Sequence, residues 1–166
     1  MAEYDWSKFK LRINIKTYGH LVYDMWARPE NIERWFLSRA EFTMPDGQPR
    51  SKDTYIQAGD VYAWNWFGHP DTTTERGKVL EMVDKKLIKF TFAGECIVTV
   101  SIKVEDGEVI VELAQENIPL DEKSKVGFHL GCSNGWTFYL ANLKSVLECG
   151  HDLRNRNLNL KQMVNA

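Results

Sequence analysis

Three cysteines, Cys96, Cys132 and Cys149, are scattered through the chain with no CxxC pair, and an odd one is left over. That excludes a disulfide framework and makes a reducing cytoplasm the expected compartment. Charge of one sign is missing too: the net charge is -2, so no basic field draws the chain to nucleic acid or an anionic membrane. No apolar run reaches the roughly 18 residues of a membrane span, and "MAEYDWSKFK" is too acidic and too polar for a secretory signal. The four histidines show neither HxH nor HxxxH spacing. His129 and Cys132 in "HLGC" lack the second pair a structural zinc requires, so neither a metal nor a cofactor is expected. GxSxG, GxGxxG and GxxxxGK(S/T) are all absent, which removes the common serine-hydrolase and phosphate-binding signatures.

What the chain has in quantity is aromatic rings. Six Trp, six Tyr and eight Phe in 166 residues must either fill a core or line a pocket with rigid apolar walls. The length suits one domain around one core.

"FKLRINIKTYG" (9–19) alternates Phe9, Leu11, Ile13 and Ile15 with polar residues, the period-two mark of a strand with one buried face. In "HLVYDMWARPENIERWFL" (20–37) apolar residues recur at steps of three or four. Pro29 divides that run, predicting two short helices that meet at Arg28. "MPDGQPRSKD" (44–53) reads as a loop, with a small strand possible just before it at 40–44. Five strands then follow over 55–68, 73–84, 85–94, 95–106 and 107–117, joined by short Gly- or Asp-containing breaks that favour an antiparallel meander. Residues 118–134 lead into "GWTFYLANLKSVLECG" (135–150), predicted to be a long helix. Trp136, Leu140, Leu143 and Leu147 share one of its faces, Asn142, Lys144, Ser145 and Glu148 lie away from that stripe, and Phe138 points nearly opposite. The order is β-α-α-β(5 or 6)-α: a twisted sheet curling round an amphipathic helix, an α+β arrangement with space between the two.

Particular residues carry a resemblance. "GHLVYDMWARPENIERWF" resembles the helical pair of the activator-of-heat-shock-ATPase-like branch of the START/polyketide-cyclase (SRPBCC, Bet v-like) superfamily. "GKVLEMVDKKLIKFTF" is similar to a strand pair of that branch, and "GWTFYLANLKSVLECG" to its closing helix, "GWxxxLxxLkxxLExG". The likeness runs from about residue 9 to 150. It implies a helix-grip fold: an antiparallel sheet of six or seven strands around a long C-terminal helix, over 1–150, with 151–166 as a polar tail. It also implies a cavity of the kind that holds lipids, polyketides or other apolar molecules in relatives. Eukaryotic members stimulate a heat-shock ATPase with an additional N-terminal domain, for which this chain has no room. Two departures, "VDKK" before the fifth strand and Gln115 late in the last one, weaken the transfer of any particular ligand.

The candidate ligand-binding residues are aromatic and apolar. Tyr62, Trp64 and Trp66 alternate along one strand face, and Phe90 and Phe92 along another. Trp26 comes from the first helix, and Trp136, Tyr139, Leu140 and Leu143 from the last. Gln115 breaks an apolar face and either reads a ligand's polar group or serves the structure. No catalytic residue is identified. Asp60, Glu75, Glu81 and His129 are the available acid–base groups, and each reads as a solvated side chain. The expected partner is a hydrophobic small molecule held by a monomer or homodimer. A protein-interaction module acting on a chaperone or other protein, and a cyclase or hydrolase working inside the cavity, are the alternatives.

Overall fold

A computed structural model describes residues 4–164. β1 (Phe9–Ile15) is followed by α1 (Gly19–Ala27) and α2 (Pro29–Trp35). Pro29 opens the second helix at its first position, where its missing N–H costs nothing. Then come β2 (Arg39–Thr43), β3 (Val61–Asn65), β4 (Glu75–Val83), β5 (Leu87–Phe92), β6 (Cys96–Glu105) and β7 (Glu108–Glu116). The seven strands form one antiparallel sheet in the order β1-β7-β6-β5-β4-β3-β2. The two-residue connection Asp106-Gly107 has positive φ at both positions, as the tight hairpin turn between β6 and β7 requires.

Strand alternation is expressed as expected: Val98, Val100, Val111 and Leu113 are buried on the concave face, while Lys10, Arg12, Lys103 and Glu112 form ion pairs on the outer one. Between the first half of β4 and the end of β5 the ladder opens: pairing begins only at Val79 and is regular from Glu81, past a register shift between the two. Side chains bridge the gap. Tyr62 donates its hydroxyl to the Thr91 carbonyl at 2.6 Å, Lys78 N–H bonds the Thr91 hydroxyl, and Ala93 N–H bonds the Glu75 carboxyl. The Tyr62 hydroxyl passes so near Gly77 that a Cβ there would lie 2.4 Å from it, so only glycine fits.

The closing helix starts earlier than the sequence suggests. Asp121 caps α3 (Glu122–Ser124) by accepting from Ser124 N–H, a π-helical turn follows over Lys125–Gly131, and α4 (Cys132–Cys149) continues it to Gly150, whose φ of 68° ends the helix. Residues 126–130 alternate apolar and polar, so no helical period marks this segment in advance.

α4 buries Trp136, Leu140 and Leu143 against the core, as the stripe predicts, with Leu147 half-buried. Phe138 is half-buried against the Tyr139 ring. Asn142 departs from expectation: it is fully buried. Its amide donates to the Trp35 carbonyl at 2.6 Å and to Asp152, and its oxygen accepts from Leu153 N–H. Residues after Gly150 cover that side of the helix. Arg154, 5% exposed, donates to the carbonyls of Leu37 and Glu33 just beyond and within α2, while its guanidinium forks onto Asp152.

Candidate functional site

The long core between α4 and the sheet is packed. Trp64 stacks on Tyr62 at 3.8 Å between centroids and meets Phe90 edge-on at 5.4 Å, and Trp26 meets Trp35 edge-on. Of the expected cavity residues, Trp26, Trp64 and Phe90 border only a void of about 10 Å³, at the lower limit for one water molecule. Leu140 and Leu143 are buried core residues, and Tyr62 is tied to Thr91.

Next to the closing helix, space appears instead at one end of the grip, while a separate, larger recess bordered by Tyr62 and Gly77 opens where the β4–β5 ladder parts. A pocket of about 210 Å³ lies where the π-helical turn passes into α4, facing the end of β5 and the chain after β3. Five rings form its aromatic side: Phe36, Trp66, Phe92, Trp136 and Tyr139. Phe36 lies roughly along Trp136 (5.0 Å, 31°), whereas Tyr139 and Trp66 stand almost perpendicular to it (78° and 77°). The rings therefore make a floor with upright walls. Gly127, Gly131 and Gly135 add bare backbone to the lining, together with Cys132 and the exposed His69. No charged side chain borders the space.

Gln115 stands behind this pocket. Fully buried, it accepts from the Trp136 indole N–H at 3.1 Å, and its amide points to the Phe128 carbonyl. It thus fixes the orientation of Trp136 and ties β7 to the π-helical turn, the structural role of a satisfied buried amide. Burial pushes the Cys132 thiol up to about 11, partly opposed by Gln115; a thiol so placed is no nucleophile at neutral pH.

Two of the four acid–base candidates are buried, against expectation. Asp60 is completely enclosed and ion-paired with Arg50, while accepting from Gln57 N–H, so it pins the loop before β3. His129 has one ring nitrogen 2.9 Å from the Trp6 carbonyl, which can only accept, so that nitrogen donates; the other is hydrogen-bonded to the Tyr4 hydroxyl. Both were hidden in the sequence because their partners are distant or come from a loop. Glu81 is exposed, as read. Glu75 is half-buried, and burial raises its carboxyl despite the Ala93 N–H bond; it does not border the pocket. Among the described residues, no group of three His, Cys, Asp or Glu side chains is placed to hold a metal.

Sequence reasoning thus named four of the pocket's five rings and missed Phe36. It also missed the three glycines, although "GFHLGCSNG" displays them at every fourth position.

A profile of the family described as "Activator of Hsp90 ATPase homolog 1-like protein" matches residues 17–148. The chain belongs to this family. Its fold is that of several solved relatives, all of low identity. Protein SSP2350 from Staphylococcus saprophyticus superposes with a TM-score of 0.68 at 17% identity, over 89% of this chain and 96% of that one. The Aha1 dimer from Colwellia psychrerythraea gives 0.65 at 16% identity, over 86% and 97%. DynU16, from the dynemicin biosynthetic locus, gives 0.64 at 15% identity, over 90% of this chain and 50% of its own. At such identities the likeness shows the fold alone, and pocket contents follow from this chain's own residues. No curated protein matches the sequence. Among the described residues no helix is long and apolar enough to cross a membrane.

Proposed function

We propose that this family member binds a small apolar or amphipathic molecule in the pocket at the end of the grip. The observation that carries this reading is the aromatic lining without charge: five rings around about 210 Å³. Such a site rewards the desolvation of an apolar ligand and penalises an unpaired ion. Binding is favoured over catalysis because the titratable groups at the wall are Cys132 and Tyr139, whose burial holds both protonated at neutral pH, and His69 at the rim. A general acid–base step needs a poised partner in reach of the substrate.

Calorimetric titration with a panel of apolar and aromatic compounds tests the reading, with Trp emission as a second signal because Trp66 and Trp136 form part of the wall. Saturable binding is expected, weakened by Phe92→Ala at the wall and unaffected by Lys103→Ala on the outer sheet face. If no compound in the panel binds, the pocket is inert and the reading fails, leaving a protein-interaction role, on a chaperone or another partner, as the alternative.

A further inference from the structure

The outer face of the sheet is of two kinds. Across β1, β7 and β6 its cations are neutralised: Lys10, Arg12 and Lys103 each pair with Glu112, and Arg12 also with Glu105. On the first half of β4 they are not. Arg76 and Lys78 are exposed there, opposite Ala63 and Val61 of β3, which carry no charge. Among the described residues neither side chain has an ion pair or a hydrogen bond.

Exposed cations are commonly left to water, and these two alone would signify nothing. A second feature lies beside them. They border the recess of about 660 Å³ that opens to solvent where β4 and β5 part. Val61, 48% exposed, and half-buried Ile97 give it apolar walls. Thr91 adds a hydroxyl whose oxygen accepts from Lys78 N–H and whose proton has no acceptor among the described residues. The bonds from Tyr62 to the Thr91 carbonyl and from Ala93 N–H to Glu75 hold the two strands in this arrangement. With glycine obligatory at 77, the recess is built into the fold.

The chemistry that fits follows from these groups. Residues two apart on a strand stand about 7 Å apart, so two long side chains there can converge on one anionic group, and a guanidinium forks onto two oxygens at once. The apolar walls favour a ligand with an apolar body, and the volume falls in the small-molecule range of roughly 300–1,000 Å³. Glu95 belongs to the same lining and pairs with neither cation, leaving one net positive charge.

We infer that this recess is a second binding site, for a small organic carboxylate. The anionic group sits between Arg76 and Lys78 in reach of the Thr91 hydroxyl, and the apolar body lies on Val61 and Ile97. The site is independent of the pocket at the end of the grip, whose walls carry no charge.

The test adds 2-naphthoate, its uncharged counterpart 2-naphthamide, acetate and anionic phospholipid vesicles to the full chain, followed by calorimetry and by NMR of the assigned backbone amides. Expected are saturable shifts of the Val61, Lys78 and Thr91 amides with 2-naphthoate, and binding roughly tenfold tighter than that of naphthamide or acetate. Affinity should fall several-fold between about 20 and about 300 mM salt, since the cations are solvated. Lys78→Gln should weaken 2-naphthoate roughly threefold and Arg76→Gln more, because the fork is lost. Glu95→Gln should strengthen it. All three side chains belong to exposed residues, so each variant should keep the parent's melting midpoint. No binding of 2-naphthoate overturns the inference, as do equal binding of naphthamide, unchanged affinity in Lys78→Gln and Arg76→Gln, or binding to vesicles alone. Shifts confined to residues lining the pocket overturn it too, and leave the pocket reading standing. If 2-naphthoate binds in the recess while the apolar panel leaves the pocket empty, only the pocket reading fails.

Discussion

Replacing Arg154 by Met is the sharpest probe of how the residues after Gly150 contribute to the fold. The guanidinium is withdrawn from solvent and donates to two backbone carbonyls and both oxygens of Asp152. Methionine keeps the apolar stem but leaves Asp152 and the two carbonyls without this donor. Removing one partner of a buried ion pair costs about 3–5 kcal/mol; because the Asp152 side chain stays 24% exposed and keeps Arg156, the lower end, about 3 kcal/mol, is expected here. For a chain of this length that is a fall of about 6–12 °C in the melting midpoint. Arg156→Met is the control: its side chain is 58% exposed, and loss of such a surface pair costs less than about 1 kcal/mol. The pH dependence gives a second readout. Burial alone would raise the Asp152 carboxyl, but hydrogen bonds from Arg154 and Arg156 outweigh it and hold it well below the usual carboxylate range. A depressed folded value means stability that is complete above the unfolded value near pH 4 and is lost as pH falls below it. Arg154→Met should therefore flatten the acid limb of the stability profile. Urea denaturation from pH 7 to pH 3 measures both effects. If Arg154→Met unfolds within about 1 kcal/mol of the parent, as Arg156→Met should, the claim that this arginine anchors the tail to the cooperative core is wrong.

Two further outcomes follow from groups near the grip. Burial raises the Glu75 carboxyl above its ordinary value, so ionisation costs stability progressively as pH rises from the unfolded value near pH 4 through the raised folded value. Glu75→Gln keeps an acceptor for Ala93 N–H and should stabilise the protein at pH 7 by up to about 1 kcal/mol, with no gain at pH 4; equal stability at pH 7 would refute the burial argument. With an aromatic disulfide reagent at pH 8, Cys149, which is exposed, should react first, while buried Cys96 and the Cys132 thiol, raised to about 11, lag behind. A pocket ligand should slow Cys132 further, and two fast thiols in the free protein would contradict the placement.

Local regularities were legible in the amino-acid sequence because their causes are local. Alternation in "FKLRINI", the helix break at Pro29, the Asp106-Gly107 turn and the Trp136–Leu140–Leu143 stripe each depend on residues a few positions apart. The family resemblance then supplied the partner surface for that stripe. The fate of polar side chains was not legible, since it rests on partners far along the chain. Asn142 is buried because a carbonyl 107 residues away and a returning tail satisfy it; Gln115 is structural because Trp136 lies beside it. The location of empty space was decided the same way. Periodicity can say that Trp26, Trp64, Phe90, Leu140 and Leu143 point inward, but whether inward-facing side chains meet or leave a hollow is a matter of three-dimensional packing. Here they meet along the length of the helix, and the hollow remains at its start, where three side chains are missing.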